Sequence, residues 1–151
     1  MTKSLNELLA EHHLKLQAPS RNEIEQHFKI VLRDLKDAKF PALSSDRKFA
    51  TAYNAALQLA TIVLRVRGYR TNPSKAGHHR ICIQVLPLIM GRKYMAFADF
   101  LDTCRLKRHA CEYTSVDQIS DQDATQLIEK TESFHNEVVT WLRSQSPEMF
   151  A

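Results

Sequence analysis

Glycine and proline are scarce, three and five in 151 residues, which leaves few tight turns and excludes a fold of many short hairpins. The cysteines are also few, at Cys82, Cys104 and Cys111. Their number is odd and none forms a CxxC pair, which argues against a disulfide framework and for reduced thiols in a cytoplasmic protein. No run of 18 apolar residues occurs, so no membrane-spanning helix is expected. The opening MTKSLNELLAEHHLKLQ carries acids and lacks the pattern of a secretory signal. Gly-rich phosphate loops, a serine nucleophile elbow and paired catalytic carboxylates are missing, and no cofactor is expected. Aromatic residues are spaced for packing and do not interleave with bases as a single-strand stacking platform does.

The most informative absence is local. Between Arg47 and Ala98 there is no Asp or Glu, against nine Lys or Arg. Residues 112–151 show the reverse, with eight acids and two bases. A basic middle beside an acidic end admits two readings: the acidic helix answers the basic segment, within the molecule or across a dimer, or the basic surface meets phosphate.

What is present is helical periodicity. Residues 1–18 read as an N-terminal helix, Ser4 to Leu16, with Leu5, Leu8, Leu9, His12 and Leu16 on one face. Residues 20–145 read as the bundle core of a single domain covering 1–151. Ser20 and Glu23 form a capping box for a helix reaching about Lys39, with Ile24, His27, Phe28, Val31, Leu32 and Leu35 inward. Ser44 or Ser45 starts a long helix to about Val66 whose inner face includes Phe49, Ala52, Tyr53, Ala56, Leu59 and Ala60. Such a small-residue face lets neighbouring backbones approach, as suits a central helix, and Gly68 stops it. Residues 69–77 carry turn chemistry. A helix from His78 is kinked or ended by Pro87. Another spans Arg92 to Tyr113, with Tyr94, Phe97, Leu101, Cys104 and Cys111 on its seam and Arg108 in the remaining slot. TSVDQISDQD is a polar loop, a last helix runs from Ser120 to Arg143, and the tail is frayed. No strand-like alternation of useful length is visible. The expected fold is all-α, an antiparallel bundle of five to six helices.

Two constellations are candidates for chemistry. Arg105, His109 and Tyr113 stand at i, i+4 and i+8 on one side of a helix. Arg108 sits on the apolar seam, where it must snorkel, pair with an acid such as Glu112, or face a dimer interface. These residues either make an interhelical salt bridge or form a polar cleft in which Arg and His contact phosphate. The second is His78-His79-Arg80, which with Arg70 and Lys75 could hold an anion. Adjacent histidines point in different directions on a helix, and no Cys or acid has local ligand spacing, so a metal is not expected. His12-His13 and the cysteines read as packing residues. Arg65, Arg67, Arg70, Lys75 and Arg80 are the expected phosphate contacts.

The alanine-rich helix ending in RVRGYR, the GHHR segment and RLKRHACEY give the chain a resemblance to the HEPN superfamily of small all-helical domains. The resemblance implies an antiparallel bundle, commonly a homodimer, in a bacterial stress, defence or toxin–antitoxin system. Active members are metal-independent ribonucleases carrying Arg, four to six residues, then His. The His acts as general acid or base and the Arg stabilises phosphate charge. In this chain three residues separate Arg105 from His109, and four separate Arg108 from Tyr113. Arg108 therefore takes the place of the motif arginine, Tyr113 that of the histidine, and His109 stands nearby. The expectation is a HEPN-like protein that binds RNA or a protein partner through its basic surface. The alternatives are a weak ribonuclease using Arg105, Arg108, His109 and Tyr113, and a purely structural interaction module.

Overall fold

The structure, a computed structural model, describes residues 3–112 and 119–149 together with the backbone of Tyr113. Helix α1, Leu5–Ala10, opens with a capping box. Ser4 Oγ accepts from Glu7 N (3.1 Å), and the Glu7 carboxylate accepts from Ser4 N (3.2 Å).

The expected helix to Leu16 does not form. His12 adopts a left-handed backbone with φ 65°, and Leu14–Leu16 become strand β1, antiparallel to β2, Tyr69–Thr71. Leu14 is buried at 2% exposure, whereas Leu16, expected inside, is 72% exposed. The cause lies far along the chain. A six-residue helix gains little by itself in water, whereas β2 supplies ladder partners and Asn72 Nδ2 donates to the His12 carbonyl (2.9 Å). The stretch expected to be a turn, 69–77, thus begins as a strand. Its turn chemistry is confined to Asn72–Lys75, where Ser74 N donates to Asn72 Oδ1 (3.1 Å).

Helix α2, Arg21–Ala38, is capped by Ser20, whose Oγ accepts from Glu23 N (3.1 Å). Ile24, Val31, Leu35 and Ala38 are buried, but Leu32, expected inside, faces outward. Helix α3, Ser45–Val66, is the centre of the bundle and packs against α2 and against the helices that follow it. Ala52, Ala55, Ala56 and Ala60 are fully buried along it, which brings the flanking backbones close. By length and hydropathy α3 would suit a membrane span, but 72% of that window is buried inside the bundle, as in a core helix. Arg67 ends the helix and Gly68 turns the chain with φ 85°.

Helix α4, His78–Gln84, and α5, Leu86–Met90, are separated at Val85, with Pro87 in the first turn of α5. Gly91, at φ 116°, leads into a 3₁₀ turn, Arg92–Tyr94, before α6, Met95–Tyr113. Helix α7, Asp121–Gln145, starts at a Ser120–Asp123 capping box and runs two residues beyond the expected end. Phe134 of α7 meets Phe97 of α6 with ring centres 4.6 Å apart. The expected frayed tail instead forms a 3₁₀ turn, Pro147–Met149, with Met149 against the core. Residues 114–118 of the expected polar loop, and Phe150 and Ala151, lie outside the described residues. Among the described residues the fold is an all-α bundle with one short two-stranded ribbon.

Candidate functional site

The first turn of α4 and the second half of α6 face one cleft of about 200 Å³, with Tyr53 of α3 in its lining. From α6 come Arg105, Arg108, His109 and Glu112, at i, i+3, i+4 and i+7 and therefore on one helix face. The other wall is Gly77, His78, His79 and Arg80. The two constellations that the sequence separates thus become one surface. Among the described residues, three guanidiniums and three imidazoles stand around it against the single carboxylate of Glu112.

Arg108 resolves its conflict with the apolar seam in two ways. Its guanidinium carbon lies 5.6 Å from the centre of the Tyr53 ring, a cation–π distance, and Nη2 pairs with Glu112 Oε1 at 3.2 Å. Arg105 Nε donates to Asp102 Oδ1 at 2.9 Å. These intrahelical carboxylates orient the arginines but engage only part of each guanidinium, which has five N–H donors. Arg108 Nε is buried with no hydrogen-bond partner among the described residues.

Tyr53 Oη is likewise buried and unpartnered among the described residues, on a residue only 2% exposed. Burial pushes its pKa up to about 12, against the pull of Arg105 and Arg108, so at neutral pH it is a protonated donor. His79 is held below its ordinary pKa, first by desolvation, then by the charges of His78, Arg108 and Arg105. Its ring meets that of His78 edge-on, with centres 4.5 Å apart.

The remaining expected residues are dispersed. Arg65 needs correction: it is 4% exposed and lies inside the fold. Nε and Nη2 bind the Glu23 carboxylate at 2.6 and 3.0 Å, and Nη1 donates to the carbonyls of Gln17 (3.1 Å) and Tyr69 (2.9 Å). A buried guanidinium needs such partners, and they engage the donors a phosphate would take. Arg70 is exposed and donates to Gln17 Oε1 at 2.8 Å. Arg67 and Lys75 are exposed away from the cleft. Tyr113 ends α6, and its side chain lies outside the described residues.

Among the described residues no salt bridge joins a base of 47–98 to an acid of 112–151. The acids of α7 pair elsewhere, Asp123 with Lys107 and Glu132 with Lys39. Nor do three or more His, Cys, Asp or Glu side chains gather as metal ligands among those residues. Burial pushes the thiols of Cys82 and Cys104 up to about 11 and about 12, which leaves them poor nucleophiles.

Spacing places Tyr53 on the inner face of α3, where it is buried; that it also lines the cleft is not readable from that spacing. The available signal was its hydroxyl, which like the Arg65 guanidinium is a polar group buried along α3.

A sequence model described as HEPN_SAV_6107-like HEPN matches residues 41–139, about two thirds of the chain and all of the cleft. No curated protein and no solved structure matches the chain.

Proposed function

This chain belongs to the HEPN_SAV_6107-like HEPN family, and from that premise we propose that its cationic cleft binds RNA through the phosphate backbone. The observation that carries the reading is the convergence of Arg80, Arg105 and Arg108 on one concave surface lined also by Tyr53, whose buried hydroxyl has no partner among the described residues. Arginine forks match phosphate oxygens geometrically, and a phenol kept protonated donates to the same group. In this reading the protein is the RNA-binding component of a bacterial stress, defence or toxin–antitoxin system, as the resemblance to other HEPN domains suggests. It acts as a homodimer. Exposed Met95 and Leu106 support that arrangement, because they lie eleven positions apart and so share a face of α6.

Affinity for single-stranded RNA, measured by fluorescence anisotropy, tests the reading. Two to three neutralised phosphates give a log–log salt slope of roughly −1.4 to −2.1. Raising salt fourfold should therefore weaken binding about 7- to 20-fold. The double variant Arg80→Gln/Arg105→Gln should flatten the slope. Binding that ignores salt, or a double variant that binds like the wild type, refutes the proposal.

A second reading is metal-independent cleavage, favoured by His109 and His79 facing the same cleft as Arg105 and Arg108. An RNA cleavage assay in chelator separates it from binding alone. Cleavage that is unchanged in both His109→Ala and His79→Ala ends it.

A further inference from the structure

Beside the cleft lies a second cavity, of about 440 Å³, and His78 and His79 belong to the lining of both. We infer that this cavity is a nucleobase pocket, so that the protein grips one unpaired nucleotide of RNA with its phosphate in the cleft and its base beyond the histidines. The inference rests on the cleft reading and adds to it the class of ligand: single-stranded RNA with a splayed base.

Size is the first argument. A 200 Å³ cleft is too small for a whole nucleotide, whereas 440 Å³ lies within the roughly 300–1,000 Å³ of ligand pockets. Charge is the second. In the larger cavity Arg65 is matched by Glu23 at 2.6 Å, which leaves Arg70, donating to the neutral amide of Gln17, as the one unmatched formal charge of its described lining, whereas the cleft sets three guanidiniums against the Glu112 carboxylate. An uncharged aromatic ring is favoured there and a phosphate in the arginine-lined cleft. The two parts of a nucleotide are sorted by the two chambers.

The lining is suited to a base. Leu57, Leu64 and Pro73 provide apolar contact, and the His78 and His79 rings offer stacking surface. Gln58 provides the polar recognition. Its Oε1 is taken by His27 Nδ1 at 2.6 Å, which fixes the amide and leaves its NH₂ group as donor. A donor selects an acceptor on the base edge. Guanine and uracil present a carbonyl oxygen where adenine presents an amino group. The pocket therefore takes carbonyl-bearing bases in preference to adenine. A base that is paired and stacked cannot enter the pocket, so a duplex is excluded.

The test is a calorimetric titration of the full chain with inorganic phosphate, ribose 5-phosphate, and the monophosphates of uridine, guanosine and adenosine. Single- and double-stranded RNA of one sequence follow. Uridine or guanosine monophosphate should bind about tenfold more tightly than ribose 5-phosphate, adenosine monophosphate should be weaker than both, and the single strand should outbind the duplex. Gln58→Glu keeps an acceptor for His27 but replaces the donor, and should abolish the preference for carbonyl-bearing bases. If ribose 5-phosphate binds as tightly as every nucleotide, the base pocket is wrong while the phosphate cleft stands. If neither phosphates nor RNA bind, both fall. Equal affinity for single strand and duplex overturns the base pocket alone.

Discussion

Replacing Arg65 by methionine discriminates between a phosphate contact and an internal brace. The substitution retains an apolar stem of similar reach and removes every hydrogen bond of the guanidinium. It leaves the carbonyls of Gln17 and Tyr69 without that donor and the Glu23 carboxylate without its partner. Removing one member of a buried pair costs about 3–5 kcal/mol. The Glu23 side chain is 33% exposed and rehydrates in part, which moves the expected loss to about 3 kcal/mol. For a chain of this length each kcal/mol shifts Tm by roughly 2–4 °C, so the variant should melt about 6–12 °C lower by circular dichroism.

A pH signature accompanies the loss. Hydrogen bonding to Arg65 holds Glu23 below its usual 4.5. A carboxyl with a depressed native pKa contributes stability that is full above the unfolded value and disappears as pH falls through the native one. The wild type should therefore lose this contribution on acidification below about pH 4.5, and Arg65→Met should show a flatter acid limb. RNA affinity well below the melting range should change less than about twofold, because the guanidinium, although it lines the larger cavity, has its donors engaged by Glu23 and by backbone carbonyls. A variant with unchanged Tm and tenfold weaker RNA binding would refute the argument and return Arg65 to the binding surface.

Asn72→Ala removes the amide that ties the His12 turn to the second strand. It should cost about 1–3 kcal/mol in urea unfolding, with faster amide exchange in β1 than in the centre of α3; uniform acceleration across the chain would contradict a local tie. The His79 imidazole, held below its ordinary 6.5, is neutral at pH 7 and gains a proton only as pH falls through that lowered value. RNA affinity should therefore rise on acidification below about pH 6.5, and His79→Gln should reduce that rise. An identical pH profile in both proteins would remove His79 from the site.

Much of the fold was legible in the residues themselves. Caps at Ser20, Ser44 and Ser120, the alanine face of α3, and the apolar seams of α6 and α7 are local signals, and the helices form where those signals lie. The resemblance to HEPN domains had the same source, in segments contiguous along the chain. Both halves of the cleft were also readable, as two clusters of Arg and His on helical spacing.

Tertiary structure decided everything that depends on a distant partner. Leu14–Leu16 pairs as a strand because β2 reaches it across the fold, and no window around LKL contains that strand. The linear pattern of bases could not separate a buried guanidinium from exposed ones. Arg65 is inside because Glu23 and the chain at 17–18 close over it, while Arg80 remains at the surface. Only packing brings α4 against α6 over Tyr53, making two separate motifs one cleft, because side-chain spacing determines which groups share a helix face but not which face another helix will meet.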